Sequence, residues 1–486
     1  AATGQQTYVL DNGGDLKCAI LKGGTTSSTI HLGDLTSIKY KNQELLAPYS
    51  TTSRYSHYEQ GLGSGTVITT ATGGVTGSRW MLVTCDDTAT GGTGIVQYYA
   101  VRENDTNLYL SSYVPTPTSE GQFIAYLSDN DGTTGAIEGS DVFGHADGTT
   151  SSKFYNVGGR RQIEHVFHGL AGTAGSTPVG AWMFMGSRER SSGGPFFKDI
   201  DFQSGSAVEI YNCIFTGHTQ TEAYRAGLHT FALQINGGQS PTEPSYAWME
   251  NLRDLPTNSL LIQGLIPASQ RGGVGGMATG VAAGHEITVG LTNSEAQYWD
   301  VADAGGGFSI PNVLPGTYTQ TLYDGELEVG RRTVTVAAGA TTTADITNSF
   351  YLPSNPIFRI GSFDGSPVGF LNADKIETMH PSDVRMGDWA GLPNFVVGTN
   401  TDAQFPMAQF MGVNNSRRFT FTLTAAQVQN LTFRVGITLG FEGARPKITV
   451  NSGQSYAWTS GNPTATRDLN SRGITRGTWR GDNQLY

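Results

Sequence analysis

Along most of the chain, apolar and polar positions follow the period of a β-strand. Runs such as Gly94-Ile95-Val96-Gln97-Tyr98-Tyr99-Ala100-Val101 and Leu108-Tyr109-Leu110-Ser111-Ser112-Tyr113-Val114 are β-branched and aromatic, and turn residues bound them. No window of about fifteen residues in the first half carries an apolar stripe of helical period. Residues 1–253 therefore predict a large antiparallel sandwich, because an amphipathic sheet has to cover its apolar face with a second sheet. A boundary falls at Asp254-Leu255-Pro256. From there to 345, turn and strand signals alternate at intervals of about ten residues, in Gly264-Leu265-Ile266-Pro267, Gly305-Gly306-Gly307-Phe308 and Leu314-Pro315-Gly316-Thr317. That spacing predicts a small fibronectin-III-like sandwich without chemistry of its own, a spacer. Residues 346–486 open with a Pro-rich joint, Leu352-Pro353-Ser354-Asn355-Pro356, and beyond it read as a jelly-roll of the carbohydrate-binding-module kind. Its strands are expected around Arg418–Leu423, Leu431–Ile437 and Pro446–Asn451.

Composition agrees with an all-β chain. Glycine is abundant (65 of 486 residues), and only 15% of residues are charged. The formal charge of -11 repels phosphate backbones, so nucleic acid is excluded as a partner. It would also repel a polyanionic glycan at long range, so such a glycan has to be met by locally concentrated cations. No segment reaches the roughly 18 consecutive apolar residues that span a bilayer, so no membrane association is expected. The start, Ala-Ala-Thr-Gly-Gln, reads as the product of signal-peptide removal, which predicts a secreted, extracellular protein acting as a monomer. Three sequons, at Asn104, Asn414 and Asn430, fit that compartment. Three cysteines, Cys18, Cys85 and Cys213, are too few for a disulfide scaffold; their number allows one bridge and one free thiol.

One stretch concentrates ionisable groups between neutral strands. It runs from Glu138 and Asp141 through Lys153, Arg160, Arg161, His165 and His168 to Arg188, Arg190, Lys198, Asp199, His218, Glu222, Arg225 and His229. Each residue alone reads as an ordinary loop residue, since Lys and Arg are mostly solvated. Together, flanked by the Gly-rich turn Ser191-Ser192-Gly193-Gly194-Pro195, they make a candidate site above a rigid scaffold. A hydrolase would need two facing carboxylates, and Glu138, Asp141, Glu164, Glu189, Asp199, Asp201 and Glu222 offer many pairs with no spacing that selects one. A metal site would draw on His165 and His168, but three residues apart in a strand or loop they point to opposite faces or sit in a turn, a weak signal. A β-eliminating lyase needs cations against a uronate carboxylate, a base for the C5 proton and an acid for the leaving oxygen. The basic cluster suits this third chemistry best.

Several segments resemble the fungal rhamnogalacturonan lyases of polysaccharide lyase family 4. They include Gly61-Leu62-Gly63-Ser64, Ala136-Ile137-Glu138-Gly139-Ser140-Asp141-Val142-Phe143, Ser152-Lys153-Phe154-Tyr155, Ser191-Ser192-Gly193-Gly194-Pro195-Phe196 and Gly217–His229. The likeness continues in order through Ala296-Gln297-Tyr298-Trp299, Pro315-Gly316-Thr317-Tyr318, Met379–Asp383 and Ser471–Gly477. It implies a galactose-mutarotase-like catalytic sandwich, a fibronectin-III-like domain and a carbohydrate-binding jelly-roll. It further implies β-elimination at rhamnose–galacturonate linkages of pectin, with an unsaturated uronate left at the new non-reducing end. By the same resemblance Lys153 takes the C5 proton, His218 protonates the departing oxygen or assists the base, and Tyr211 contacts sugar. Arg161, Arg188, Arg190 and Arg225 are expected around Lys153 and the uronate, and Glu138 and His229 complete the expected substrate-binding set. No cofactor is required if arginine and lysine neutralise the carboxylate; a structural Ca²⁺ is compatible with the family's chemistry, and no metal ligand is assigned.

The sequence departs from the family at identifiable places. Gln122 and Tyr126 stand where the family strand carries arginines that hold the uronate, which points toward a different uronate glycan or a non-catalytic polysaccharide binder. The family's last domain runs some tens of residues beyond the place of Tyr486, so an incomplete jelly-roll with an exposed edge is expected. The position that would pair with Cys85 is a glycine, so that bridge is not expected. An aldose epimerase would share only the sandwich type, and fold does not fix function.

Overall fold

In the computed structural model the chain is almost entirely β. The structure describes residues 4–47, 55–58, 61–116, 121–127, 142–144, 146–152, 161–196, 201–204, 208–215, 225–244, 248, 262–373, 384, 391–409, 414, 416–438, 446–451, 456–459 and 484–485.

The first domain is built on a seven-stranded antiparallel sheet. Its order is Phe167–Ala174, Thr177–Phe184, Gly227–Asn236, Asn107–Val114, Val96–Arg102, Trp80–Asp86 and Val67–Gly73. A four-stranded sheet faces it, ordered Phe202–Ser204, Val208–Phe215, Gly121–Leu127 and His57–Tyr58. An N-terminal sheet, from Gln6–Asp11 to Gln43–Glu44, joins that layer through the isolated bridges Leu35–Ser56 and Leu46–Leu127. One core fills the space between these layers, with Leu16, Ile20, Tyr99, Leu110, Phe123, Ile210 and Phe231 at its centre.

The two central strands of the large sheet are buried at nearly every position rather than at alternate ones. The cause is a second apolar layer on the outer face, where Trp80, Tyr98, Tyr109 and Phe184 pack against Trp248 and Ile262. The rings of Tyr109 and Trp248 lie 4.6 Å apart. A strand covered on both sides has no polar face to show, so the aromatic and aliphatic run at 98–101 follows directly.

The second domain is a sandwich of two four-stranded sheets. One contains Gly307–Val313, Gly272–Thr279 and the short Thr341–Thr343 and Ile346–Thr347, both parallel to Gly272–Thr279. The other is Gln297–Val301, Ile287–Thr292, Gly316–Asp324 and Leu327–Val336. Val274, Val289, Leu291, Tyr318 and Leu322 form its core. In the third region the described residues form short ladders: Phe395–Val396 with Phe419–Thr420, Gly436–Ile437 with Gln484–Leu485, and Lys447–Val450 with Tyr456–Thr459. Of the expected strand over 431–437, only Gly436–Ile437 is in a ladder.

All three cysteines are free and buried. The allowance for one bridge is therefore not taken up. Burial pushes the Cys18 and Cys85 thiols far above their ordinary range, with smaller contributions from Glu44 and Asp34 respectively.

Candidate active site

The outer face of the small sheet carries the first candidate residues. Strands 121–127 and 208–215 pair so that Gln122 opposes Cys213, Ile124 opposes Tyr211 and Tyr126 opposes Glu209. Directly opposed residues share a face, and Phe123, Ala125 and Ile210 turn the other way into the core. Tyr211 thus sits mid-row on the face away from the core, and its hydroxyl donates to the Glu209 carboxylate. Gln122 accepts from the Cys213 thiol at 3.5 Å. Glu209 was not singled out from sequence. Its signal was the alternation Glu209-x-Tyr211-x-Cys213, which places all three on one face.

Of the two expected catalytic residues, His218 follows a strand of this sheet in the chain, and Lys153 follows a strand of a separate two-stranded sheet, Val142–Gly144 with Thr150–Ser152. Lys153 directly follows the strand Thr150–Ser152, and His218 comes three residues after the end of Val208–Phe215. Lys153, His218, Glu138 and Arg160 lie outside the described residues.

The arginines expected around the uronate make contacts within and between the first two domains. Arg225 is 3% exposed. It donates to the Ser191 carbonyl at 2.6 Å, the Thr292 hydroxyl at 2.7 Å, the Asn293 carbonyl at 3.1 Å and the Gln297 side chain at 3.4 Å. Three of those four acceptors belong to the second domain. Arg190 donates to the Glu295 carbonyl at 2.7 Å, again in the second domain. Arg161 forks between Glu164 on its own turn and Glu286 across the boundary. Burial alone would lower its pKa, but the bonds to Glu286 and Glu164 outweigh that and raise it. Arg188, buried and with a left-handed backbone (φ 54°), donates to the Cys213 carbonyl at 2.8 Å. It therefore buttresses the strand bearing Tyr211 from behind.

Glu189 forms the centre of this seam. Its carboxylate takes hydrogen bonds from Arg271 and, at 2.6 Å, from the Tyr298 hydroxyl, and its carbonyl accepts from the Gln297 amide at 2.9 Å. Gln297 reaches back to the loop, donating to the Arg188 carbonyl at 3.2 Å and accepting from Gly194 N–H at 3.0 Å. Two segments that carried the sequence resemblance, 191–196 and 296–299, are thus docked on each other. The second domain is a clamp on the loop 188–194 rather than a spacer. A guanidinium held by carbonyls and a guanidinium held by a sugar carboxylate look alike in a sequence, because both uses select the same donor fork.

His229 lies behind the same loop and is 6% exposed. Burial, followed by the charge of Arg190, pushes its pKa down to about 3, and Arg188 adds to the effect. It is neutral at ordinary pH and brings no positive charge to a uronate. The Gly61–Ser64 motif is structural too. Gly61 has φ 88°, and a Cβ there would come within 2.1 Å of the His31 ring, while Gly63 N–H donates to Asp87 at 2.9 Å.

A β-sandwich with a tyrosine–carboxylate row on one sheet, clamped by a fibronectin-type domain, defines a class of multidomain all-β protein. The family models narrow the class. A model described as rhamnogalacturonan lyase B, N-terminal, matches residues 2–255. The models for polysaccharide lyase family 4 domain II and domain III match residues 270–344 and 356–486. Rhamnogalacturonate lyase A of Aspergillus aculeatus is 38% identical over 474 residues, spanning 93% of this chain and 82% of that protein. Rhamnogalacturonate lyase A of Emericella nidulans is 37% identical over 470 residues, with the same coverage. The chain belongs to polysaccharide lyase family 4.

Proposed function

We propose that this protein is a polysaccharide lyase that cleaves rhamnose–galacturonate linkages of rhamnogalacturonan I by β-elimination. The observation that carries the reading is the ordered match of all three family domains on one chain that keeps Lys153 and His218. In the proposed step Lys153, neutral, takes the proton from C5 of galacturonate. The C5–H electron pair forms the C4=C5 double bond, the C4–O4 bond breaks, and His218 gives a proton to the oxygen that leaves with rhamnose. Nothing is oxidised or reduced, and no cofactor is asked for. Tyr211, set by Glu209 and braced from behind by Arg188, supplies a rigid sugar contact. The substrate is an acidic polysaccharide too large to enter a cell, so the enzyme works outside it, as a monomer, with glycans carried on its sequons.

Arg161, Arg190 and Arg225 hydrogen-bond the second domain, and Gln122 brings no charge to the row. A second reading follows from this: a lyase for a uronate linkage other than that of rhamnogalacturonan I. One experiment separates the readings. The protein is incubated with rhamnogalacturonan I and with a panel of other uronate glycans, and the ultraviolet absorbance of the new double bond is followed. Absorbance with rhamnogalacturonan I that disappears in Lys153→Ala supports the first reading, absorbance only with another glycan supports the second, and absorbance with none refutes both.

A further inference from the structure

Away from the proposed site, the structure converges two imidazoles and a carboxylate in the interior. His165 Nε2 lies 3.0 Å from His168 Nδ1 and 3.2 Å from Asp201 Oδ1, and His168 Nδ1 lies 3.7 Å from the same oxygen. The side chains of His165 and His168 are fully buried and that of Asp201 is 1% exposed. Strand alternation would send residues 165 and 168 to opposite faces. The chain avoids this because His165 is not in the strand: it caps the 3-10 turn Gln162–Glu164, and the strand begins at Phe167. The two rings end nearly parallel, 20° apart, with their nitrogens side by side.

We infer that His165, His168 and Asp201 form a zinc site. The three donor atoms make a triangle with edges averaging about 3.3 Å, the spacing of ligands that share one tetrahedral ion at about 2.0–2.1 Å. One dication can be shared by all three donor atoms at once. The dication also offsets the cost of holding a carboxylate away from water. Two imidazoles with one carboxylate select zinc over calcium or magnesium, which prefer oxygen ligands.

The placement gives the ion a structural task. His168 lies on the outermost strand of the seven-stranded sheet, and Asp201 immediately precedes the outermost strand of the facing sheet. An ion held by both bolts the two layers together at one edge of the sandwich. The Asp201 carbonyl also accepts from Tyr211 N–H at 2.9 Å, so the bolt lies one hydrogen bond from the outer-face row.

The test uses tag-free full-length protein and does not depend on lyase activity. The chain is stripped with a chelator and then titrated with Zn²⁺ by calorimetry and with Co²⁺ by visible absorption. The expected result is saturation at about one ion per chain, intense tetrahedral Co²⁺ bands and a raised Tm. His168→Gln and the near-isosteric Asp201→Asn, checked for folding by circular dichroism, should each weaken binding on the order of 100-fold or more. Absence of saturable uptake by the wild-type chain overturns the assignment whatever the variants do. Uptake equal to wild type in a folded variant overturns it as well.

Discussion

The Tyr298 hydroxyl of the second domain donates to the Glu189 carboxylate of the first at 2.6 Å, and Arg271 closes on the same carboxylate. Burial raises the tyrosine's pKa, and the neighbouring Glu189 charge raises it further, so the hydroxyl stays protonated and remains a donor. Removing the carboxylate strands a guanidinium that is only 17% exposed. Glu189→Ala is expected to lower unfolding free energy by about 3 kcal/mol in urea denaturation at neutral pH. Lys17→Ala breaks an exposed pair with Asp11 and should cost less than about 0.5 kcal/mol. Equal, small effects in the two variants would mean the seam contributes no stability.

His229 gives the fold a pH dependence of definite sign. Its pKa falls from the ordinary 6.5 to about 3 in the folded chain. Between those values the unfolded chain binds a proton that the folded chain does not. Its contribution is complete above pH 6.5 and is lost as pH drops toward 3, at a slope of up to about 1.4 kcal/mol per pH unit. Urea midpoints measured across that interval should show a shallower decline in His229→Gln than in the wild type. An unchanged slope would mean that His229 is protonated in the fold.

The row on the small sheet can be re-armed. Gln122 shares a face with Tyr211, two pairs of residues along the ladder. Gln122→Arg places a guanidinium at that end of the row and is expected to raise kcat/KM on rhamnogalacturonan I on the order of tenfold, through the charge it offers the uronate. No gain over wild type would indicate that the carboxylate binds away from this strand.

The three thiols should be silent in the native protein. Cys18 and Cys85 are buried, and their thiols are held in the protonated form by that burial. Alkylation in buffer should modify neither residue, and alkylation in denaturant without reductant should modify all three. A mass consistent with one bridge under the second condition would contradict the free-thiol arrangement.

Sequence and structure diverge where one residue type has two uses. The strand at 96–102 is readable because aromatic and β-branched residues crowd it. Its second cover is not readable, because Trp248 lies far along the chain from Tyr109. Arg190 and Arg225 stood out in a charge-poor chain, yet nothing local distinguishes an arginine bound for a carbonyl of the next domain from one bound for a sugar. His165 and His168 read from sequence as lying on opposite faces of a strand or in a turn, and the 3-10 turn Gln162–Glu164 selects the second. Tyr211 was placed by resemblance, and its partner Glu209 became visible only with the register of the sheet.

The second face of the large sheet bears on where the chain can be cut. Trp248, Ile262 and the half-buried Leu265 cover Trp80 and Tyr109, so the chain leaving the catalytic domain doubles as part of its skin. A gene fragment ending before residue 248 would encode a sandwich with a bared indole and phenol surface, prone to self-association. Cutting the chain between the first two domains would in addition leave the seam groups Arg225 and Glu189 without their acceptor and donor in the second.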